Sequence, residues 1–288
     1  MKIGFDFGGS LIKVSLCCEQ DEVELLKSFK HRITHQFTHK KLFFINGIFK
    51  RSEFDLFCEF IKEILPRLGQ PYVVCTGGGV VDKNKELIEL FGDLEIEPLS
   101  EFKSIIEGIS YFAKLKKDFI YSIDDNFNKT SLDYSKIHPF LLVNIGTGIS
   151  IHILEKDKAT YIGGTTLGGS SLLGFSNILQ GNKSFEQIRT EVDKERADES
   201  FLFEREYEKL MKGEPVDGKE ELQSTVSSFF FEIINNICTI AYFIAKQHKI
   251  RRVLFIGNFL KNNKVAIMKV NRNFAENSEK YNFDIEVR

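Results

Sequence analysis

Apolar positions in this chain fall into short runs cut by glycine and longer stretches of helical spacing. Residues 3–7 and 11–17 are two apolar runs joined by Gly8-Gly9-Ser10, which predicts a β-hairpin with a tight turn. A third strand is expected within Arg32–Phe49, where Ile33, Phe37, Leu42, Phe43 and Phe44 lie among basic residues. Phe54–Leu65 spaces Leu56, Phe57, Phe60, Ile61 and Ile64 as a helix does, and Pro66 and Gly69 end it. Tyr72–Cys75 reads as a short buried strand opening into Thr76-Gly77-Gly78-Gly79. Helices are expected over Lys83–Phe91 and Ser100–Phe112, the latter with Phe102, Ile105, Ile106 and Ile109 on one face. Lys114–Lys136 is polar and reads as a long surface insertion, closed by Pro139.

The pattern then starts again. Leu141-Leu142-Val143 is a strand, Gly146-Thr147-Gly148 a turn and Ile149–Leu154 a returning strand. Two glycine-cornered hairpins, each opening a half of the chain, suggest two related α/β domains facing one another, 1–138 and 139–288. A glycine- and hydroxyl-rich stretch, 163–174, leads into a helix through Leu179 that ends at Gly181-Asn182. Ser184 with Gln187 makes a capping box for the next helix, and Glu186–Gly218 reads as a charged, solvated helical excursion. Val226–Gln247 is the longest helix, with Phe229, Phe230, Ile233, Ile237, Ile240, Ala241 and Ile244 on its buried stripe. Arg252–Ile256 is a parallel-type strand, Lys264–Asn273 a helix and Phe283–Val287 a final strand.

Composition narrows the classes. The chain has 288 residues with 42% hydrophobic and 28% charged, globular values that allow a sizeable core. A net charge of −2 argues against a dedicated nucleic-acid binder. The five cysteines form no C-x-x-C pair, and reduced thiols in a cytoplasmic protein are expected. No signal peptide is expected ahead of the first strand. The most apolar stretch, Val226–Ala245, carries Glu232, Asn235 and Asn236, which suit a buried helix rather than a membrane span.

The first hairpin is the leading candidate for chemistry. Its turn can leave backbone N–H groups free for phosphate oxygens, and Asp6 is placed to hold Mg²⁺ directly or through water. A Gly-Gly turn with a surface aspartate has the same spelling. Three glycines after the strand at 72–75 mean either a close backbone approach to a ligand or a plain loop. The stretch 163–174 offers a helix N-terminus rich in free N–H groups, an anion site. Gly257 would let a flat ring approach the backbone, and Asn258 supplies an amide. His31, His35 and His39 would stack on one face of a helix as metal ligands, but their Thr- and Phe-rich segment reads as extended. Ser100 with Lys103 spells S-x-x-K without the other boxes of that hydrolase pattern. Glu101 sits in the first turn of a helix, where a carboxylate favours the dipole.

Taken in order, GFDFGGSLIKV, CTGGGVV, SEFKSIIEG, LLVNIGTGISI, GGTTLGGSSLLG, IINNICTIA and VLFIGNFLKNN resemble the eukaryotic-type (type II) pantothenate kinases. These belong to the actin–hexokinase–Hsp70 superfold, with two ribonuclease-H-like domains facing across a nucleotide cleft. The resemblance covers nearly the whole chain and implies ATP- and Mg²⁺-dependent phosphorylation of the primary hydroxyl of pantothenate, the first step towards coenzyme A. It implies Glu101 as the general base and Asp6 as the organiser of Mg²⁺. Gly8, Gly9, Ser10 and Lys13, with Gly146, Thr147 and Gly148, would hold phosphates. Gly168, Gly169 and Ser170 would line the nucleotide side, Gly257 and Asn258 the adenine side, and Ser150 would touch pantothenate. It further implies a homodimer, or a heterodimer with a related kinase, through the long helix, and acyl-coenzyme A as a feedback ligand. Two features depart from the family. An arginine expected just before the glycine-rich stretch is Tyr161 here, which predicts a slow enzyme or an altered task. The family also continues past the last strand into a Gly/Ala-rich helix, whereas this sequence stops at Arg288.

Overall fold

Strand-forming residues on either side of Gly8-Gly9-Ser10 pair as expected. In a computed structural model, β1 (Lys2–Phe7) and β2 (Leu11–Cys18) form an antiparallel hairpin, with Asp6 opposite Lys13. The structure describes residues 2–19, 33–39, 42–67, 71–79, 84–92, 96–124, 128–156, 158–194, 211–213, 219–261 and 263–287. These divide into two compact units, Met1–Leu115 and Lys116–Arg288.

The first unit is a six-stranded sheet ordered β3-β4-β2-β1-β5-β6. The single strand expected within 32–49 is a pair, β3 (Ile33–His39) and β4 (Leu42–Lys50), and β4 lies antiparallel to β2. β5 (Tyr72–Thr76) runs parallel to β1, and β6 (Ile96–Pro98), a strand too short to announce itself, runs parallel to β5. Alternation on β1 sends Ile3, Phe5 and Phe7 into a core with Phe57, Phe60 and Ile61 of α1 (Phe54–Ile64) and Leu87 and Phe91 of α2 (Asn84–Phe91). Phe7 and Phe57 meet edge to face at 5.3 Å. The unlike face of the sheet receives α3 (Glu101–Leu115), whose Tyr111 and Phe112 rings touch Phe44 of β4. On α3 Ile109 is buried, while Phe102, Ile105 and Ile106 are half-buried.

The second unit opens with the stretch whose polar pattern reads as a long surface insertion. Within it β7 (Tyr121–Ile123) pairs with β8 (Lys129–Ser131), and the insertion is anchored by buried Ile120 and Ile137. Asn271 donates to the Ile123 carbonyl at 2.7 Å. That anchoring puts the division between units at residue 115/116 rather than at Pro139. The sheet is ordered β11-β10-β9-β12-β13, from β9 (Phe140–Ile145), β10 (Ile149–Leu154), β11 (Ala159–Thr165), β12 (Arg252–Ile256) and β13 (Glu286–Val287). β9–β10–β11 are antiparallel, and β12 and β13 are parallel to their neighbours. Stripping β3 from the first sheet leaves the same arrangement, β4-β2-β1-β5-β6, so both units are one ribonuclease-H-like plan.

Among the described residues, four helices line the second core: α4 (Gly169–Gln180), α5 (Phe185–Lys194), α6 (Lys219–Gln247) and α7 (Lys264–Tyr281). The α5 capping box is formed, Ser184 and Gln187 exchanging bonds of 2.8 and 3.2 Å. Asn263 caps α7 through a 2.9 Å bond from the Ala266 amide, and the helix runs to Tyr281, well past Asn273. Phe230 of α6 stacks on Phe259 at 5.0 Å. The α6 stripe departs from expectation at Ile240, which is 42% exposed. By length and apolar content Thr225–Gln247 is able to cross a membrane, yet 56% of its most apolar window is buried inside the protein.

Candidate functional site

In the first unit the candidate residues gather at the carboxyl ends of the parallel strands β1, β5 and β6. Asp6 and Thr76 are register partners there. The Gly8 amide closes the turn onto the Leu11 carbonyl at 3.0 Å, leaving Gly9 and Ser10 exposed. Lys13 and Asp6, expected to serve phosphate and metal separately, are joined at 2.7 Å, the natural outcome of facing positions on one hairpin face.

Arg51, which the sequence pattern did not single out, fastens this turn. Its amide donates to the Ser10 carbonyl at 2.9 Å and its guanidinium to the Gly8 carbonyl at 3.0 Å. Its side chain also fills the space a Cβ on Gly79 would need. The three-glycine segment therefore abuts the turn. Gly77, at φ +93, has no room for a side chain: a Cβ would lie 2.6 Å from Asp6 Oδ1 and strike the Phe7 carbonyl.

Glu101 is brought to the same end of the sheet. The Leu99 amide donates to the Cys75 carbonyl at 2.7 Å, which docks the start of α3 beside the end of β5. Ser100 takes the cap position, with the Lys103 amide 3.5 Å from its hydroxyl, and Glu101 is exposed in the first turn. Cys75, adjoining this site, is buried, and burial pushes its thiol up, away from nucleophile duty.

In the second unit Gly146, Thr147 and Gly148 make the equivalent turn between β9 and β10. The Gly146 amide donates to the Gly148 carbonyl at 2.8 Å. The glycine-rich stretch is not only a helix start, because its first residues, 163–165, lie in strand β11. Nor are the first amides of α4 all free. Gly169 donates to Gly146 at 3.0 Å and Ser170 to Thr147 at 3.0 Å, with the Ser170 hydroxyl on the same Thr147 carbonyl at 2.9 Å. Gly168 has the matching reason to be glycine, since a Cβ would sit 2.9 Å from the Thr147 carbonyl. This helix end is spent on gripping the turn.

Gly257, at φ +117, ends β12 against the Ile145 backbone, where a Cβ would collide. Packing between strand ends thus explains that glycine without a ring. Asn258 beside it is exposed. Ser150 is half-buried on β10, between Asn144 and Gly164. His31 lies outside the described residues. His35 and His39 fall on strand β3, not on the helix that a shared face of imidazoles requires.

The Fumble family model matches residues 2–280. The chain belongs to the Fumble family. It is 26% identical over 305 aligned residues to a mouse (Mus musculus) protein named 4'-phosphopantetheine phosphatase, covering 93% of this chain and 37% of that one. It is 29% identical over 216 residues to Pantothenate kinase 1 of Arabidopsis thaliana, covering 66% of this chain and 55% of that one. The chain therefore spans roughly a third to a half of these relatives' lengths. Among solved structures, glucokinase of Balamuthia mandrillaris in complex with glucose superimposes with a TM-score of 0.54 at 15% identity, over 99% of this chain and 88% of that one. That likeness shows the fold alone, a mixed α/β architecture of two sheet-centred domains.

Within this Fumble chain Tyr161 stands 61% exposed on β11, its ring 5.2 Å from that of His152 across the strand pair. His152 is buried, and desolvation lowers its imidazole to about 4, so it is neutral at physiological pH. The expected arginine position therefore presents two uncharged rings.

Proposed function

We propose that the chain is an ATP-dependent phosphotransferase acting on the primary hydroxyl of pantothenate. The observation that carries this reading is the duplicated sheet with a glycine turn after its first strand in each unit, in a Fumble-family chain. The relative named Pantothenate kinase 1 supports the substrate.

Phosphoryl transfer is loose, so catalysis is mainly positioning and charge stabilisation. Gly8, Gly9, Ser10 and Lys13 in the first unit, and Gly146, Thr147 and Gly148 in the second, hold phosphate oxygens in this reading. Gly168, Gly169 and Ser170 support the second turn from behind. Gly257 and Asn258 border the adenine, and Ser150 contacts pantothenate. Asp6 fits a divalent cation on its own evidence: Oδ1 is buried and makes no hydrogen bond among the described residues, in a cradle that a Cβ would fill. When bound, Mg²⁺ supplies charge neutralisation on the transferred group. Glu101 accepts the substrate hydroxyl's proton, a task worth about 10²–10⁴-fold for a positioned carboxylate.

A coupled ADP-release assay with pantothenate on purified protein tests this. Turnover that Glu101→Gln abolishes without loss of ATP binding is the expected result; ATP binding with no pantothenate-dependent turnover overturns it.

Tyr161 favours a second reading, a catalytically weak homologue that serves as regulatory or structural subunit of a kinase dimer. Turnover that appears only on adding a related subunit selects it. We place the dimer contact on α6, where Ile240 and Phe243 are 42% and 41% exposed, and the protein in the cytoplasm. Acyl-coenzyme A as a feedback ligand is tested by comparing inhibition by coenzyme A and its acetyl thioester; indifference to both removes it.

A further inference from the structure

The carboxyl ends of β1 and β5 carry two side-chain oxygens that the fold buries without satisfying. Asp6 Oδ1 and Thr76 Oγ1 are both shielded from solvent, and neither makes a hydrogen bond among the described residues. As register partners of a parallel pair they leave the sheet on the same face at neighbouring positions. The Phe7 carbonyl adds a third oxygen, because it and Asp6 Oδ1 both converge on the side of Gly77 where a Cβ would be. Buried polar atoms without partners are rare in folded proteins and call for an explanation. Valine would fit the strand at position 76 with the same shape and no unmet hydrogen bond. The oxygen itself is what threonine adds.

Carboxylate, hydroxyl and carbonyl oxygens are the donor set of a hard divalent cation and the waters it retains. Lys13 holds Asp6 Oδ2, so Oδ1, on the Gly77 side, is the oxygen that remains. We propose that the Thr76 hydroxyl, together with Asp6, grips the hydration shell of the divalent cation that accompanies ATP, an inference that rests on the kinase reading above. Thr76 is in this sense a positioning residue, since it acts on the cation's waters.

The test is Mn²⁺ titration by electron paramagnetic resonance with a non-hydrolysable ATP analogue present. Thr76→Val is expected to weaken Mn²⁺ about three- to tenfold, the worth of one hydrogen bond, and Thr76→Ser to restore it. Binding of the analogue without divalent ion stays unchanged in both variants. Should the valine chain fail to fold, Thr76→Cys also lacks the hard oxygen; it is expected to weaken Mn²⁺ likewise and to gain affinity for Cd²⁺. Unchanged Mn²⁺ affinity in the oxygen-free variants overturns the proposal. The two readings fail separately. A wild type that ignores pantothenate but shows the Thr76 dependence keeps the cation role and loses the kinase; one that phosphorylates pantothenate with Mn²⁺ affinity indifferent to residue 76 loses the cation role alone. A wild type that binds no Mn²⁺–nucleotide overturns both.

Discussion

Tyr161 and His152 show how much one position can decide. A neutral phenol beside a neutral imidazole offers no charge-assisted donor to an anionic substrate. Restoring one preorganised donor is worth roughly 10²–10³-fold in rate, so Tyr161→Arg is expected to raise kcat/KM for pantothenate by that order. An unchanged kcat/KM means that the chain's activity is limited elsewhere. His152 makes a separate prediction. Its folded value, about 4, lies below the ordinary 6.5, so the unfolded chain takes up the proton first as pH falls. Stability is therefore full above the unfolded value and falls by roughly 1 kcal/mol per pH unit between about pH 6 and about pH 4. Urea melts across that range check it, and His152→Leu is expected to flatten the slope. Neither the burial of His152 nor the exposure of Tyr161 was legible from spacing, because β11 itself was hidden by Gly163 and Gly164. Glu101 is the converse case. Its exposed place in a helical first turn looks like ordinary dipole chemistry, and only the family resemblance singles it out.

At the scale of elements, glycine spelling was easy to read and its cause was not. The strands around Gly8-Gly9 and Gly146-Thr147-Gly148 follow from apolar runs and turn chemistry, and both hairpins form. The glycines at 168, 169 and 257 spell a ligand site equally well, yet each lies where a Cβ would meet a neighbouring backbone. Gly169→Ala puts a Cβ 2.8 Å from the Gly146 carbonyl and is expected to lower stability by about 1–3 kcal/mol, whether or not nucleotide is present. Thermal melts with and without ATP check that. An equal melting point would free this glycine for a ligand role. Arg51 escaped notice because its partner carbonyls, on Gly8 and Ser10, are far away in sequence. Nothing local distinguishes it from the neighbouring Lys50.

On the scale of the whole molecule, the repeat was visible as two glycine-cornered hairpins, and the sheets share one strand order. The dividing line was not visible. Polar composition hid the β7–β8 pair, and the Asn271 bond that ties it to α7 spans much of the chain. The proposed dimer is a property of this scale too. Phe243→Glu sets a charge on the exposed side of α6 and is expected to halve the mass seen by light scattering, with the melting point little changed. A dimer that survives it moves the contact elsewhere.

An ammonium that already neutralises a carboxylate serves an incoming triphosphate only by loosening its hold on that carboxylate. Lys13 and Asp6, 2.7 Å apart, are such a couple. Under the proposed kinase reading, Asp6 freed of its lysine would turn its full negative charge towards a cation. Nucleotide and cation would then recruit one another, and thermodynamic reciprocity requires each to raise the other's affinity by one common factor.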